Sequence, residues 1–178
     1  LEREVPPTEK NIETSKKGQY RIKDNFLAFW FRFVYPMRSF IESDHPEIAM
    51  TKLKTGFIPN HVGYVYEDIC RQKMWELNSQ GKLPFLFDRV GRWWGGKDTE
   101  IDIVAIDTTD RSKIIFGECK FHQNVPMQLS ELHQLKEKAA VVPWGNANRD
   151  EYFALFCISG YSEDLQQLAQ EDSHLLLM

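Results

Sequence analysis

No apolar run in this 178-residue chain approaches the roughly 18 uninterrupted residues that a membrane-spanning helix needs; the longest, 26–37, is broken by Arg32. A soluble chain with no membrane partner is expected. Cysteine is scarce: Cys70, Cys119 and Cys157 are odd in number, widely spaced and form no C-x-x-C pair, which excludes a disulfide framework or a zinc ribbon and fits a reducing, cytoplasmic setting. No signal peptide is expected either. The chain opens on Leu1 and continues with charged residues and prolines rather than an apolar targeting core, so a fragment of a longer protein is expected. No strong polyanion-binding block exists either: the net charge is −4, with ten Lys/Arg against eight Asp/Glu over 1–60 and twelve against eighteen in the remainder. A G-x-x-x-x-G-K-[ST] loop, internal repeats and low-complexity tracts are missing too.

What is present is enough to fold. Hydrophobic residues make up 42% of the chain, including 12 Phe, 5 Trp and 6 Tyr, and the length suits one ordinary domain with a small appendage. The first 22 residues read as a hairpin without a core of its own, closed by Pro6 and Pro7. A helix capped by Asp24 or Asn25 follows, with Phe26, Leu27, Phe29, Trp30, Phe33 and Val34 nearly all round it, so it requires cover on several sides. A break at Pro36 and a short helix over 47–54, stopped by Gly56 and Pro59, complete the appendage.

A helix over 61–80 with Val62, Tyr66, Ile69, Cys70 and Leu77 inward opens the second section. Strands are predicted over 85–93, 100–107 and 113–121, a helix from Pro126 to about 142, a strand over 152–159, a helix over 163–169 and a last apolar run over 175–177. The order is that of an α/β layer architecture, in which the helix between the third and fourth strands allows parallel pairing.

The chemistry concentrates in the second and third strands. In EIDIVAID, alternation puts Glu100, Asp102, Val104 and Ile106 on one face and Ile101, Ile103, Ala105 and Asp107 on the other. Asp102 is then a carboxylate near a core. In KIIFGECKF, Glu118 and Lys120 share a face opposite Cys119 and Phe121. On neighbouring strands Asp102 and Glu118 can face each other, and two bare carboxylates that close repel and push one pKa up. A Mg²⁺ or Mn²⁺ ion relieves the repulsion, being a hard cation that accepts one or two carboxylates with water and phosphate oxygens. Lys120 would stand beside it, polarising a water or steadying charge on phosphorus.

Asp102 followed sixteen residues later by Glu118-Cys119-Lys120, in helix-strand-strand-strand-helix-strand order, resembles the PD-(D/E)XK nuclease superfamily. The resemblance implies a restriction-endonuclease-like three-layer core with a central mixed sheet, the main-chain carbonyl of Cys119 as a further metal ligand, and Glu67 as the extra acid on the preceding helix. GYVYE, with Gly63 one turn before Glu67, is similar to the Holliday-junction-resolvase and Mrr-like branches. The strings YRIKDNFLAFWFRFVYP, GRWWGGKDTEIDIVA and FGECKF further resemble the C-terminal nuclease-like domain of archaeal-type P-loop ATPases. That likeness implies 1–23 as the remnant of a truncated winged helix, 24–57 as an aromatic helical linker and 58–178 as the nuclease-like domain. ATPase and winged-helix domains of the same chain would lie outside this sequence, and DNA would be the substrate.

Competing roles exist for each residue. Glu67 has Arg71 one helical turn away as an ordinary ion-pair partner, and Glu100 ranks below Asp102 as a supporting acid or a strand end. Cys119-x-x-His122 lacks two further zinc ligands at sensible spacing. Trp93 and Trp94 suit core packing better than base stacking. Arg89, Arg92 and Lys97, offset by Asp88 and Asp98, and Lys16, Lys17 and Arg21 on the hairpin are candidate phosphate contacts. Gln134, Lys136 and Lys138 cannot be oriented from sequence. Two hypotheses follow: a Mg²⁺-dependent DNA phosphodiesterase using Asp102, Glu118, Lys120 and Glu67, or the same fold as a non-catalytic docking platform for the ATPase through its aromatic helix.

Overall fold

The computed structural model describes residues 1–96 and 99–178. Two short strands, β1 (Glu2–Glu4) and β2 (Gln19–Arg21), pair antiparallel as the expected hairpin. Asp24 then caps α1 (Asn25–Phe29), its carboxylate accepting from the Leu27 amide at 2.8 Å. The expected break at Pro36 does not occur. The chain passes through a π turn (Trp30–Val34) and a 3₁₀ turn (Tyr35–Met37) into α2 (Arg38–Glu42), because Pro36 sits in the first turn of its segment, where a missing N–H costs nothing.

Gly56 and Pro59 do not stop the next helix. Helix α3 (Pro46–Phe57) continues through a π turn (Ile58–Val62) into α4 (Gly63–Ser79) without leaving helical backbone. The wider turn accommodates Pro59 at its start, as π segments commonly do for an interrupted bond ladder. The expected linker end at 57 therefore falls inside one helical run. Nor do the aromatics find cover on every side. Phe29, Phe33, Phe57 and His61 cluster with ring centroids 5.5–6.2 Å apart, while Phe26, Trp30, Phe31 and Tyr35 are exposed.

The core is a five-stranded mixed sheet in the order β3 (Arg89–Gly95), β4 (Thr99–Ile106), β5 (Lys113–Lys120), β6 (Asp150–Cys157) and β7 (Leu175–Leu177). The first three strands form the expected antiparallel meander. The crossovers through α5 (Leu129–Ala139) and α6 (Glu163–Glu171) then make β5–β6 and β6–β7 parallel. One face packs Cys70 and Met74 of α4 on Ile103, Ala105, Ile115 and Phe156. The other packs Leu132, Leu135 and Leu165 on Val104, Ile114, Phe116 and Leu155. The result is a three-layer α/β architecture, with the hairpin and the helical appendage added at the N-terminal end.

The hairpin leans on the sheet rather than on itself. Pro6 and Pro7 are buried, Trp93 Nε1 donates to Thr8 Oγ1 at 3.0 Å, and Arg89 donates to the Glu9 carbonyl at 2.8 Å. Arg89 is thus a structural clasp and not a free phosphate contact, and the buried Trp93 packs as the composition of its strand suggests.

Strict alternation fails at one informative place. Between Gly91↔Val104 and Trp93↔Ile101 the register advances two residues on β3 and three on β4. This β-bulge at 102–103 moves Ile101 onto the same core face as Val104 and Ile106, against the alternation expected from sequence. Bulges re-aim side chains, and the residue re-aimed here is Asp102.

Candidate functional site

The β4–β5 ladder pairs Ile103 with Gly117 and stops there. One step further, Asp102 Oδ2 accepts the Cys119 amide at 2.8 Å, so a side chain replaces the backbone partner and the two strands part at their ends. The close fit of Gly117 helps to set this spacing, since a Cβ there would lie 2.9 Å from Ile103 Cβ. Arg71 of α4 donates to the Asp102 carbonyl at 2.9 Å and to Asp68 at 2.5 Å. Asp102 is therefore held by β5 through its carboxylate and by α4 through its backbone.

Glu118 is buried and clamped. Lys120 Nζ lies 2.7 Å from its Oε1 and Lys138 Nζ lies 3.1 Å from its Oε2. Burial works against the charged ammonium of Lys120, but the Glu118 carboxylate outweighs it and holds the pKa above the usual lysine value. Both ammonium groups bond Glu118, and they act on Asp102 only through space. Burial and then the Glu118 charge push Asp102 up to about 6 in spite of the Cys119 amide. Burial and then Asp102 push Glu67 up to about 8, against the opposing pull of Arg71 and Arg92. Glu67 Oε2 is buried without a hydrogen-bond partner among the described residues, 3.6 Å from Arg71 Nη1. The ordinary helix ion pair is present, then, but too long to satisfy the carboxylate.

The structure thus brings Asp102, Glu118, Lys120 and Glu67 into one electrostatically linked group at the open end of the central strands. It does not close them into a single coordination sphere: among the described residues, no group of three His, Cys, Asp or Glu side chains is set to hold one metal ion. Glu118 faces its two lysines instead.

Other candidates fall elsewhere. Lys17 pairs with Glu9, and Arg21 with Glu2, Glu4 and Asp68, so these cations are engaged by acids and Arg21 ties the hairpin to α4. Glu100 is exposed. Lys136 lies over the Phe153 ring. Lys97 and Asp98 lie outside the described residues. Lys138 and Arg71 are the members sequence reasoning did not place. Lys138 shares a helical face with Glu131 at i, i+7, a spacing visible in the sequence but silent about which strand it meets.

The raised acids make a pH prediction. An acid whose pKa rises on folding binds more protons in the native chain than in the unfolded one between the two values, and stability falls as pH climbs through that interval. For Asp102 the interval runs from 3.8 to about 6 and for Glu67 from 4.5 to about 8. In a metal chelator the chain is expected to be more stable to urea at pH 5 than at pH 8, and Glu67→Gln should flatten the upper part of that slope. An unchanged slope in Glu67→Gln counts against the raised carboxyl.

The fold and this group define a three-layer α/β protein with a carboxylate–lysine site at the end of a mixed sheet. The chain belongs to the DUF234 family, described as archaeal and bacterial proteins of unknown function, whose model matches residues 30–139. An uncharacterised protein of Methanocaldococcus jannaschii is 35% identical over 156 residues, 87% of this chain. The chain spans about a third of that relative's length, 34%. No solved structure matches. Among the described residues no helix is long and apolar enough to cross a membrane.

Proposed function

We propose that the chain is a PD-(D/E)XK-type, Mg²⁺- or Mn²⁺-dependent DNA phosphodiester hydrolase, working as one module of a longer protein with winged-helix and ATPase parts. The observation that carries this reading is the pairing of buried Glu118 with Lys120 at the end of a central strand, beside a buried Asp102 re-aimed by a bulge. The donor types suit such an ion: hard carboxylate oxygens, an orphaned Glu67 oxygen, and two acids raised by burial and then by a neighbouring carboxylate, a repulsion that a bound cation would relieve. Asp102 and Glu118 would hold the ion, with Glu67 binding directly or through water and the Cys119 carbonyl completing the set. When bound, it supplies a Lewis acid that activates water and neutralises phosphate charge.

The chain's own residues do the rest. The Cys119 amide orients the Asp102 carboxylate through one of its oxygens. Lys120 would offer its ammonium to the oxyanion that builds on phosphorus. Lys138 keeps Glu118 from being left unpaired and buried when no ion is present. The bare aromatics of α1 and the π turn favour a second reading, a docking platform for the ATPase without catalysis.

A calorimetric titration of the chain with Mn²⁺ separates the two. Saturable binding near neutral pH that tightens from pH 6 to 8, as the carboxyls release their protons, is the expected result, lost in Asp102→Ala. No wild-type binding, or equal binding by the variant, removes the hydrolase reading and leaves the platform.

A further inference from the structure

A cavity of about 540 Å³ lies between the hairpin, α1 and α4, a size within the roughly 300–1,000 Å³ of small-ligand pockets. Its floor is one face of α4, where Tyr64, Glu67, Asp68 and Arg71 follow at i, i+3, i+4 and i+7. The floor joins the acid site directly, since Arg71 bonds the Asp102 carbonyl and Glu67 feels the Asp102 charge.

Several of the charges in the cavity are already matched. Arg21 and Arg71 hold Asp68, and Arg21 and Arg92 hold Glu4, so these acids are not free to attract a cationic ligand. Glu100 stands exposed at the rim, where water screens it. What the cavity offers is a strip made of one ring and two planar cations. The Arg32 guanidinium lies over the Tyr64 ring at 5.5 Å and donates to the Asn60 carbonyl. Arg92, paired with Glu4, lies 5.9 Å from the same ring. The Nε of Arg92 is buried with no hydrogen-bond partner among the described residues, a donor left for a ligand or water to satisfy.

A strip of this kind needs a partner that is both flat and anionic. An inorganic anion has no face to stack, and a peptide has no fixed negative charge at each repeat. A nucleotide has both, since bases stack on aromatic rings and on guanidinium planes while phosphate oxygens accept from Arg. We infer that this cavity is a nucleotide subsite, which seats one unit of the DNA strand next to the bond cut at Asp102 and Glu118, base on the Tyr64 ring beside Arg92 and phosphate on Arg32. The identity of the strand as DNA rests on the hydrolase reading; the subsite itself does not require cleavage.

The test measures fluorescence anisotropy of a short labelled single-stranded DNA with the chain in EDTA, so that no cut can occur. Tyr64→Ala and Arg32→Gln change partly exposed side chains, and thermal unfolding verifies that both variants fold. Each is expected to weaken binding roughly tenfold, and Arg32→Gln to reduce the salt dependence by about one counterion. Wild-type affinity in both folded variants, or no binding by the wild type, overturns the subsite. Full displacement of the strand by millimolar dAMP would assign the cavity to a free nucleotide and overturn the strand. Cleavage assayed separately with Mn²⁺ keeps the two conclusions apart: cutting with unaltered variants removes only the subsite, and variant-sensitive binding without cutting removes only the hydrolase.

Discussion

On the proposed hydrolase reading, Lys120→Ala is expected to abolish Mn²⁺-dependent cutting of DNA, with initial rates at least about a hundredfold lower, the scale on which removal of one charge-stabilising donor is felt. The change is clean because Glu118 retains Lys138 at 3.1 Å, so its buried carboxylate keeps a partner and the fold is preserved. Glu118→Gln lowers the rate equally but leaves Lys120 and Lys138 facing a neutral amide. That variant therefore also loses stability, by the penalty of half-buried ammonium groups whose partner is gone. Rates on a labelled oligonucleotide, with a urea unfolding curve for each variant, separate the two effects. Cleavage that survives in both folded variants refutes the assignment of this site.

Arg149→Ala produces the largest loss of stability, about 3 kcal/mol, with the thermal midpoint lowered by roughly 10 °C. The Arg149 side chain is only 9% exposed. It donates to the carbonyls of Val142 and Trp144, both at 2.6 Å, and of Ala139 at 2.9 Å, pairs with Glu151 at 2.8 Å and lies over the Phe116 ring. It ties the end of α5 to the loop that follows. The Ala139 and Val142 carbonyls keep backbone donors at 3.0 Å, so alanine removes the charged bonds to all three carbonyls and strands Glu151 without its partner. Because α5 carries Lys138, the same variant should loosen Glu118. A urea midpoint within about 0.5 kcal/mol of wild type would mean that water replaces these bonds freely.

The strand run from 99 to 120 was legible because apolar β-branched residues fill both faces of central strands, a pattern few other structures tolerate. Asp24 was legible as a cap for a local reason: its carboxylate needs only the amide three residues on. Gly56 and Pro59 misled because breaker rules assume an isolated helix, whereas here a π turn absorbs the missing N–H within a run that α4 anchors on the sheet. The faces of β4 misled for a related reason. A one-residue bulge leaves no mark in composition, being set by how β3 and β4 match over several pairs.

By itself the sequence determined the α/β order, the antiparallel meander followed by parallel strands, and the residue types of the site: Asp102, Glu118, Lys120 and Glu67. These follow from periodicity and local bonding, which act over a few residues. Only the tertiary structure decided that Asp102 accepts the Cys119 amide, that Lys138 shares Glu118 with Lys120, that Arg71 ties α4 to β4, and that burial raises the carboxyls of Glu67 and Asp102. Charge acts through space and its strength depends on burial, so which ionisable groups meet, and in how much water, is settled where distant segments of the chain pack together.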